Sequence, residues 1–432
     1  MVHCRPFGLT GLVEPAVTIE NDLMGDYEMK GIYLAGACAA AILLGAGAAS
    51  ADGISDGVVK IGVLGDMSGV YKSSFSGDGA IAAVKMAVKD FGGTVLGKPI
   101  EVISADHQNK ADIASATARQ WIDEQKVDMI TDLTNSAVAL AVQKVAADKH
   151  IITMATGPGS SDLTGPACTK YGIHYGYDTH ALAVGTGTAV VKAGGTSWYF
   201  ITADYAFGHA LLKDTSDVVK KLGGKVLGNS MAPTATADFS SYLLQAQNSG
   251  AKVIGLANAG GDTVNSIKQA HEFGITDGGQ QLAGLLVTIS DVQSIGTDVA
   301  KGLSFTSGWY WNTDDKSKEW AKRYAEVSDN AAPTFVRAAD YSLTIAYLNA
   351  IKAAGTDDAD AVRAELGKMK IDDFFAKGGQ IRKDGLLVHD MYLLTVKQGG
   401  ESKWDVANVT ATIPGKDAYV AEADSGCSLD AK

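Results

Sequence analysis

From Val58 onward the chain alternates between short apolar runs rich in β-branched residues and longer segments whose apolar positions recur three and four apart. The runs "VVKIGVLGDM", "PIEVISADH", "VDMITDL" and "HIITMATG" predict four strands. "TSWYFITAD", "GKVLGNSMA", "AKVIGLANA", "QLAGLLVTI" and "GLSFTSGWYW" predict five more, ending at Trp311. Intervening segments such as "GDGAIAAVKMAVKDF", "ADIASATARQWIDEQ" and "NSAVALAVQKVAADK" carry the helical period. Repeated strand–helix units imply parallel sheets covered by helices on both faces.

The first series closes near Ile173, and a second opens at Thr196. Between them "YGIHYGYDTH" is short and aromatic, as expected of a crossing between two lobes. "EWAKRYAEV" and "FVRAADYSLTIAYLNAIKAAG" follow the second series and are expected to return to the first lobe. The predicted class is α/β with two Rossmann-like lobes. Lobe 1 takes residues 56–175 and about 310–385; lobe 2 takes about 178–305 and 386–432. Ligands of open α/β sheets bind at the carboxyl ends of the strands, here a cleft between the lobes.

Upstream of this pattern, "MKGIYLAGACAAAILLGAGAASADG" has one Lys, an Ala/Leu/Ile run and the small-x-small tripeptide Ala49-Ser50-Ala51 before Asp52. That is the form of a cleavable secretory signal over residues 29–51, with cleavage between Ala51 and Asp52. Gly and Ala dilute the run too far for a stable membrane anchor. Residues 1–28 hold five acids against Arg5, the wrong charge for the start of a signal, so Met29 is the expected start and 1–28 a mis-assigned extension.

At 432 residues and 46 % hydrophobic composition the chain can fill more than one core. Cleavage at Ala51 would remove two basic and five acidic residues, taking the net charge from −12 to −9. That balance disfavours nucleic acid and anionic membrane surfaces as partners. Cys168 and Cys427 are the two cysteines left after the leader. In an exported chain they read as one disulfide between the C-terminal tail and the loop after "SSDLT"; two unpaired buried thiols are the alternative.

Catalytic vocabulary is missing from the sequence. "GGTVLGKP" imitates a phosphate loop, but Pro99 stands where the metal-binding hydroxyl belongs and the flanking elements come in the wrong order, so it reads as a turn. No G-x-S-x-G, H-E-x-x-H or Cys/His cluster occurs, and His174 and His180 have no metal-site spacing. No enzyme activity, cofactor or metal is expected.

Binding vocabulary sits instead at strand ends. "GDMSGVYKSSFSGDGA" follows the first strand, "TNSAVALA" with Asn135 and Ser136 follows the third, and "TGPGSSDLT" with Gly159 and Ser160 follows the fourth. Each offers backbone N–H groups, hydroxyls or a helix N-terminus, and together they suit a carboxylate. In the second lobe Tyr205 and Phe207 follow the first strand, and Asn258, Gly260, Gly261 and Asp262 open a helix; Tyr177 lies in the crossing. A helix-face or surface salt bridge is the expected use of Arg337, and hinge packing that of "GWYW".

The motifs "KIGVLGDMSGVY", "GKPIEVISADHQNKADIA", "GPGSSDLT", "TADYAFGHAL", "DFSSYLLQAQNSGAKVIGLANAGGDT" and "HDMYLLTVK" resemble those of branched-chain amino-acid-type periplasmic solute-binding proteins of ABC transporters, from about Val58 to the C-terminus. The resemblance implies a type I periplasmic-binding fold with a three-strand hinge, closure around a solute, and delivery in the periplasm to a permease and its ATPase. It places carboxylate contacts near Ser74, on Ser136 and on Gly159 and Ser160, and an aromatic contact on Tyr205 or Phe207. Amino-acid binders of the family neutralise the ligand's ammonium with an acid after a second-lobe strand. Here "GLLVTIS" has none: Thr288 or Ser290 stands there, with Asp291 just beyond and Asp262 the other available acid. An unpaired buried ammonium is costly. The expectation is an organic or aromatic acid without an α-amino group, with amino-acid uptake as the alternative and a periplasmic sensor partner as a different use of the same fold.

Overall fold

A computed structural model describes residues 53–429. The proposed extension, signal segment and Ala51/Asp52 cleavage point lie outside the described residues.

The first sheet has six strands in the order β2-β3-β1-β4-β5-β6, made of β1 (Val59–Gly65), β2 (Thr94–Val95), β3 (Lys98–Asp106), β4 (Met129–Asp132), β5 (Ile152–Ala155) and β6 (Gly172–His174). All neighbours are parallel except β2, which pairs antiparallel with the start of β3. That hairpin is the segment that imitates a phosphate loop. Alternation along β1 serves two cores. Ile61 and Val63 pack toward the helices Gly77–Phe91 and Phe335–Ala354, and Leu64 toward Ala111–Asp123 and Ser136–Asp148. Gly62 lies on the second face, where any Cβ would come within 2.5 Å of the Trp121 ring.

The second lobe holds a parallel sheet β10-β9-β7-β8, from β7 (Ser197–Ala203), β8 (Lys225–Ala232), β9 (Val253–Ala257) and β10 (Gln281–Gly284). The run "QLAGLLVTI" is a strand only to Gly284; Thr288 caps a new helix, Ile289–Ile295. The chain then forms β11 (Ser304–Ser307) and the helices Asp315–Val327 and Phe335–Ala354, both packed on Gly77–Phe91 of the first lobe. A small sheet of β12 (Lys370–Asp372), β13 (Lys377–Ile381) and β14 (Leu387–Val388) follows. The chain returns through β15 (Met391–Val396) and β16 (Ala407–Ile413), which join β11 in an antiparallel sheet. Residues 386–388, expected with the second lobe, instead pair with β13 and bridge to His174.

Three segments thus pass between the lobes, after β6, after β11 and before β15. They lie side by side. His389 Nε2 is 2.9 Å from the carbonyl oxygen of Gly176, and a Cβ on Gly308 would fall 2.4 Å from that same oxygen. Trp309 is buried beside the second passage, edge-on to Trp320, and Tyr310 donates to the Ala407 carbonyl. Past β16 the tail runs back: Arg382 Nη1 donates to the Val420 carbonyl, and a disulfide joins Cys427 to Cys168. The tail expected with the second lobe therefore ends anchored to a first-lobe loop. Among the described residues no helix is long and apolar enough to cross a membrane.

Candidate functional site

The carboxyl ends of β1, β4, β5, β7, β9 and β10 surround a cavity of about 10 Å³. With the lobes in contact that is room for about one water, so a solute enters only as the walls part. Its walls are Tyr71, Phe75, Thr134, Asn135, Ser136, Gly157, Pro158, Gly159 and the crossing residue Tyr177, faced by Tyr205, Phe207, Ala259 and Leu286. No wall residue carries a formal charge, and five are aromatic.

The first wall is the loop after β1, folded around a buried carboxylate. Asp66 accepts from the backbone of Gly69 at 2.6 Å and Tyr71 at 2.9 Å and from Asn109 Nδ2 at 2.8 Å. This turn aims Tyr71 and Phe75 inward, edge to face with centroids 6.1 Å apart.

The second wall follows β4, where Asp132, Leu133 and Asn135 all have positive φ (69°, 55° and 102°) without being glycine. Strain of this kind persists only where surrounding bonds fix it. Here the Asp132 carboxylate takes the hydroxyls of Ser76 and Thr134, and the Leu133 amide donates to the Leu64 carbonyl at 3.0 Å. Asn135 Oδ1 caps the next helix, accepting from Ala137 and Val138.

The third wall follows β5. A Cβ on Gly157 would collide with the Thr134 hydroxyl, and one on Gly159 would lie 2.8 Å from the Tyr177 ring and 2.9 Å from Phe207. Side-chain-free backbone is therefore required at both positions. Ser136 Oγ accepts from the amides of Gly159 at 3.3 Å and Ser160 at 3.1 Å, which leaves its own hydrogen to donate. His174 sits beneath, Nε2 2.7 Å from the Pro158 carbonyl, with its pKa lowered to about 4 by burial. Tyr177 donates to the Gly157 carbonyl at 2.7 Å.

Three bonds join the loop after β1 to the second lobe across the cleft. The Gly261 amide donates to the Val70 carbonyl at 3.1 Å, the hydroxyls of Tyr71 and Tyr205 meet at 2.7 Å, and Ser74 Oγ donates to Asp291 Oδ1 at 2.5 Å. In the tyrosine pair only one hydroxyl hydrogen is used between the two, so one is left over.

Of the residues singled out from sequence, Asn135, Ser136, Gly159, Tyr177, Tyr205 and Phe207 line the cavity. Ser74 does not; it faces Asp291. Ser160 contributes its amide to Ser136 while its hydroxyl accepts from the Asp162 amide. Asn258 is spent inside its own turn on Thr263 and Ser266. Gly260, at φ 60°, allows the approach to Val70, whose carbonyl would lie 2.5 Å from a Cβ there. Thr288 forms a capping box with Asp291, whose Oδ2 takes both the Thr288 amide and hydroxyl. Asp262 accepts from the Ala235 amide; its other oxygen is buried without a partner, and burial raises its pKa to about 6. Arg337, expected in a salt bridge, is buried and donates to the carbonyls of Ala332 and Ser73.

Sequence reading missed Tyr71, Phe75, Thr134, Gly157, Pro158, Ala259 and Leu286 as wall residues. Tyr71 and Phe75 lie inside the loop it flagged, where two aromatics in a Ser/Gly stretch were the available signal. Ala259 and Leu286 carried none, being indistinguishable from core residues.

A family model for periplasmic binding proteins matches residues 58–401. A periplasmic binding protein from Burkholderia mallei is similar at 53 % identity and a TM-score of 0.85, covering 87 % of this chain and 100 % of its own. A branched-chain amino-acid ABC transporter periplasmic ligand-binding protein from Burkholderia xenovorans has 36 % identity, a TM-score of 0.77, and coverage of 86 % and 100 %. An ABC-transporter solute-binding protein from Rhodopseudomonas palustris, in complex with 3,4-dihydroxybenzoic acid, has 22 % identity, a TM-score of 0.75, and coverage of 83 % and 98 %, a likeness of fold. With two sheets joined by three passages around a walled cavity, and with these matches, the chain belongs to the periplasmic binding protein family, as a type I member of the branched-chain amino-acid ABC-transporter group.

Proposed function

We propose that the protein captures a small carboxylic acid without an α-amino group, aromatic or similarly flat, in the periplasm and hands it to an ABC permease. One observation carries this reading: the cavity wall has no charged residue, and both acids able to neutralise an ammonium are engaged elsewhere, Asp291 by Ser74 and Thr288 and Asp262 by Ala235. A carboxylate can be held by neutral donors, namely the Ser136 hydroxyl, the N-terminus of its helix and the spare tyrosine hydrogen. An ammonium in the same cavity would touch no carboxylate, since the wall itself offers none, and burying it without a direct partner costs several kcal/mol. The aromatic wall suits a flat ring. The dihydroxybenzoic acid held by the Rhodopseudomonas palustris protein is a ligand of this class.

The test is thermal unfolding of refolded, ligand-stripped protein with benzoate and 4-hydroxybenzoate against phenylalanine and leucine. A true ligand at a hundred times its Kd adds about 2.7 kcal/mol. Stabilisation by the deaminated acids alone is the expected result; equal or greater stabilisation by the amino acids overturns it. Uptake of an amino acid is the second reading, favoured by the name of the 36 % identical relative and by the unpartnered oxygen of Asp262. Co-purification with a permease, rather than with a membrane receptor, separates transport from sensing.

A further inference from the structure

Asp132 ends β4 directly behind the cavity and is fully buried. Its Oδ2 accepts from the Ser76 hydroxyl, and its Oδ1 accepts from both the hydroxyl and the amide of Thr134. Thr134 lines the cavity, so one hydroxyl group separates this carboxylate from a bound solute. Because that hydroxyl spends its only hydrogen on Asp132, it shows lone pairs to the cavity. Lone pairs suit a donor on the solute and repel a carboxylate.

The neighbours of Asp132 offer little relief. Asp66 closes the loop after β1, with every hydrogen bond it accepts coming from that loop or from Asn109. Asp340, on the helix Phe335–Ala354, takes the Thr156 hydroxyl on one oxygen at 2.6 Å; its other oxygen is buried without a partner, and burial and the nearby Asp132 hold its pKa well above the usual carboxylate range. His107, after β3, is buried and lowered to about 4, hence neutral, with Nδ1 accepting from the Asn109 amide. Arg337 is the one cation of this group; its Nη1 and Nη2 donate to the carbonyls of Ala332 and Ser73, and its Nε is buried without a partner. A solute carboxylate entering the cavity would bring a negative charge up to Asp132 without bringing a cation. Burial already raises Asp132 to about 7, so a further negative charge one hydroxyl away favours its neutral form.

We infer that capture of a carboxylate draws a proton from solvent onto Asp132, and that this proton turns the Thr134 hydroxyl from acceptor to donor toward the solute. Protonated Asp132 donates to Thr134 Oγ1, whose own hydrogen then points into the cavity. Acid and proton are bound together and leave together. Asp132 is a positioning residue, acting on the solute through Thr134. The inference rests on the proposed reading of the cavity, a carboxylate that brings no ammonium with it.

The experiment is calorimetric titration of the mature chain with benzoate at pH 7.5 in buffers of different ionisation enthalpy. The expected result is a net uptake of more than about half a proton per benzoate, with affinity above pH 8 falling by up to about tenfold per pH unit. Asp132→Asn, whose amide donates permanently, should bind benzoate with no uptake and no pH dependence between pH 6.5 and 8.5. Buffer-independent enthalpy in the wild type, or uptake preserved in Asp132→Asn, overturns the inference. If benzoate fails to bind and leucine binds, the deaminated ligand is refuted, and with it the proton uptake, since the ammonium of leucine offsets the added charge; benzoate binding without uptake refutes the inference alone. Infrared spectra of the ligand-free protein supply a readout that needs neither solute. A protonated-carboxyl band titrating near pH 7, shifted in frequency by Thr134→Val, is required, and its absence overturns the inference.

Discussion

Ser74→Ala tests whether closure and recognition are separate. Ser74 does not line the cavity, so its removal costs no solute contact. It does remove the 2.5 Å bond to Asp291 Oδ1, one of three bonds joining the loop after β1 to the second lobe. A hydrogen bond to a charged group contributes about 1.5–3 kcal/mol net. In the variant, closing the lobes buries that carboxylate oxygen with one donor fewer, whereas in the open form water replaces the serine. The whole loss therefore falls on the closed state. Because the apparent Kd scales inversely with the population competent to bind, affinity should fall about ten- to 150-fold. The assay is calorimetric titration of wild type and variant with the same stabilising acid, alongside melting of the ligand-free proteins, which should differ little. Unchanged affinity would refute the argument, since it would mean that the Ser74–Asp291 bond is absent from the bound form or worth nothing there.

Ser136→Ala should weaken the protein twice. The Gly159 and Ser160 amides lose their shared acceptor, at about 1–3 kcal/mol for each buried donor left unpaired, seen in chemical denaturation, and solute affinity falls as well; a loss of stability without loss of affinity would leave Ser136 a purely structural role. Leu286→Asp places a carboxylate where the cavity now has an apolar wall, so benzoate-type affinity should fall more than about tenfold while amino acids gain relative to it, and an unaltered ranking in competition titrations would refute the assignment of that wall. Breaking the Cys168–Cys427 bond by Cys427→Ser should cost about 2–5 kcal/mol, read as a lower Tm that reductant no longer changes. Burial raises Asp128 and Asp178 from 3.8 to about 7, so the stability they contribute is complete below pH 3.8 and lost as pH rises through about 7. Buried His107 and His174, lowered to about 4, act in the opposite direction over this range, so the check is in variants: Asp128→Asn and Asp178→Asn should make Tm fall less from pH 6 to pH 8 than in the wild type, and an unchanged difference would refute those assignments.

Periodicity made the two series of strands legible because parallel strands covered on both faces are apolar throughout, and little else in a sequence is both short and apolar throughout. Its failure at "LLVTI" is instructive: Leu285, Leu286 and Val287 are buried like strand residues but serve as cavity wall and helix approach, and burial alone does not distinguish these uses. The first-lobe donors were readable for a local reason. Asn135 and Ser136 are cap residues, and Gly159 and Ser160 stand in a Gly/Ser turn at a strand end. Ser74, Gly260 and Thr288 carry the same vocabulary, yet they serve the meeting of the lobes and the cap behind it, a purpose set by residues more than 180 positions away or by geometry invisible in one dimension. Asp132 gave no sequence signal, since an acid at a strand end is ordinary until its burial is known.

The loop of residues 66–76 is read on two sides. Tyr71 and Phe75 line the cavity, while Val70 and Ser74 grip the helices that begin at Gly261 and Ile289 and lie outside its wall. Apart from the Tyr71–Tyr205 pair, which serves both, the closed outline offered to a transporter is thus written in a different set of atoms from the menu of acceptable solutes. Exchanges at Phe75 or Leu286 can retune the menu while the announcement of a loaded protein stays constant, and exchanges at Ser74 or Gly260 would garble the announcement without changing the menu. A scaffold divided in this way can acquire new cargoes without having to renegotiate its contract with the permease.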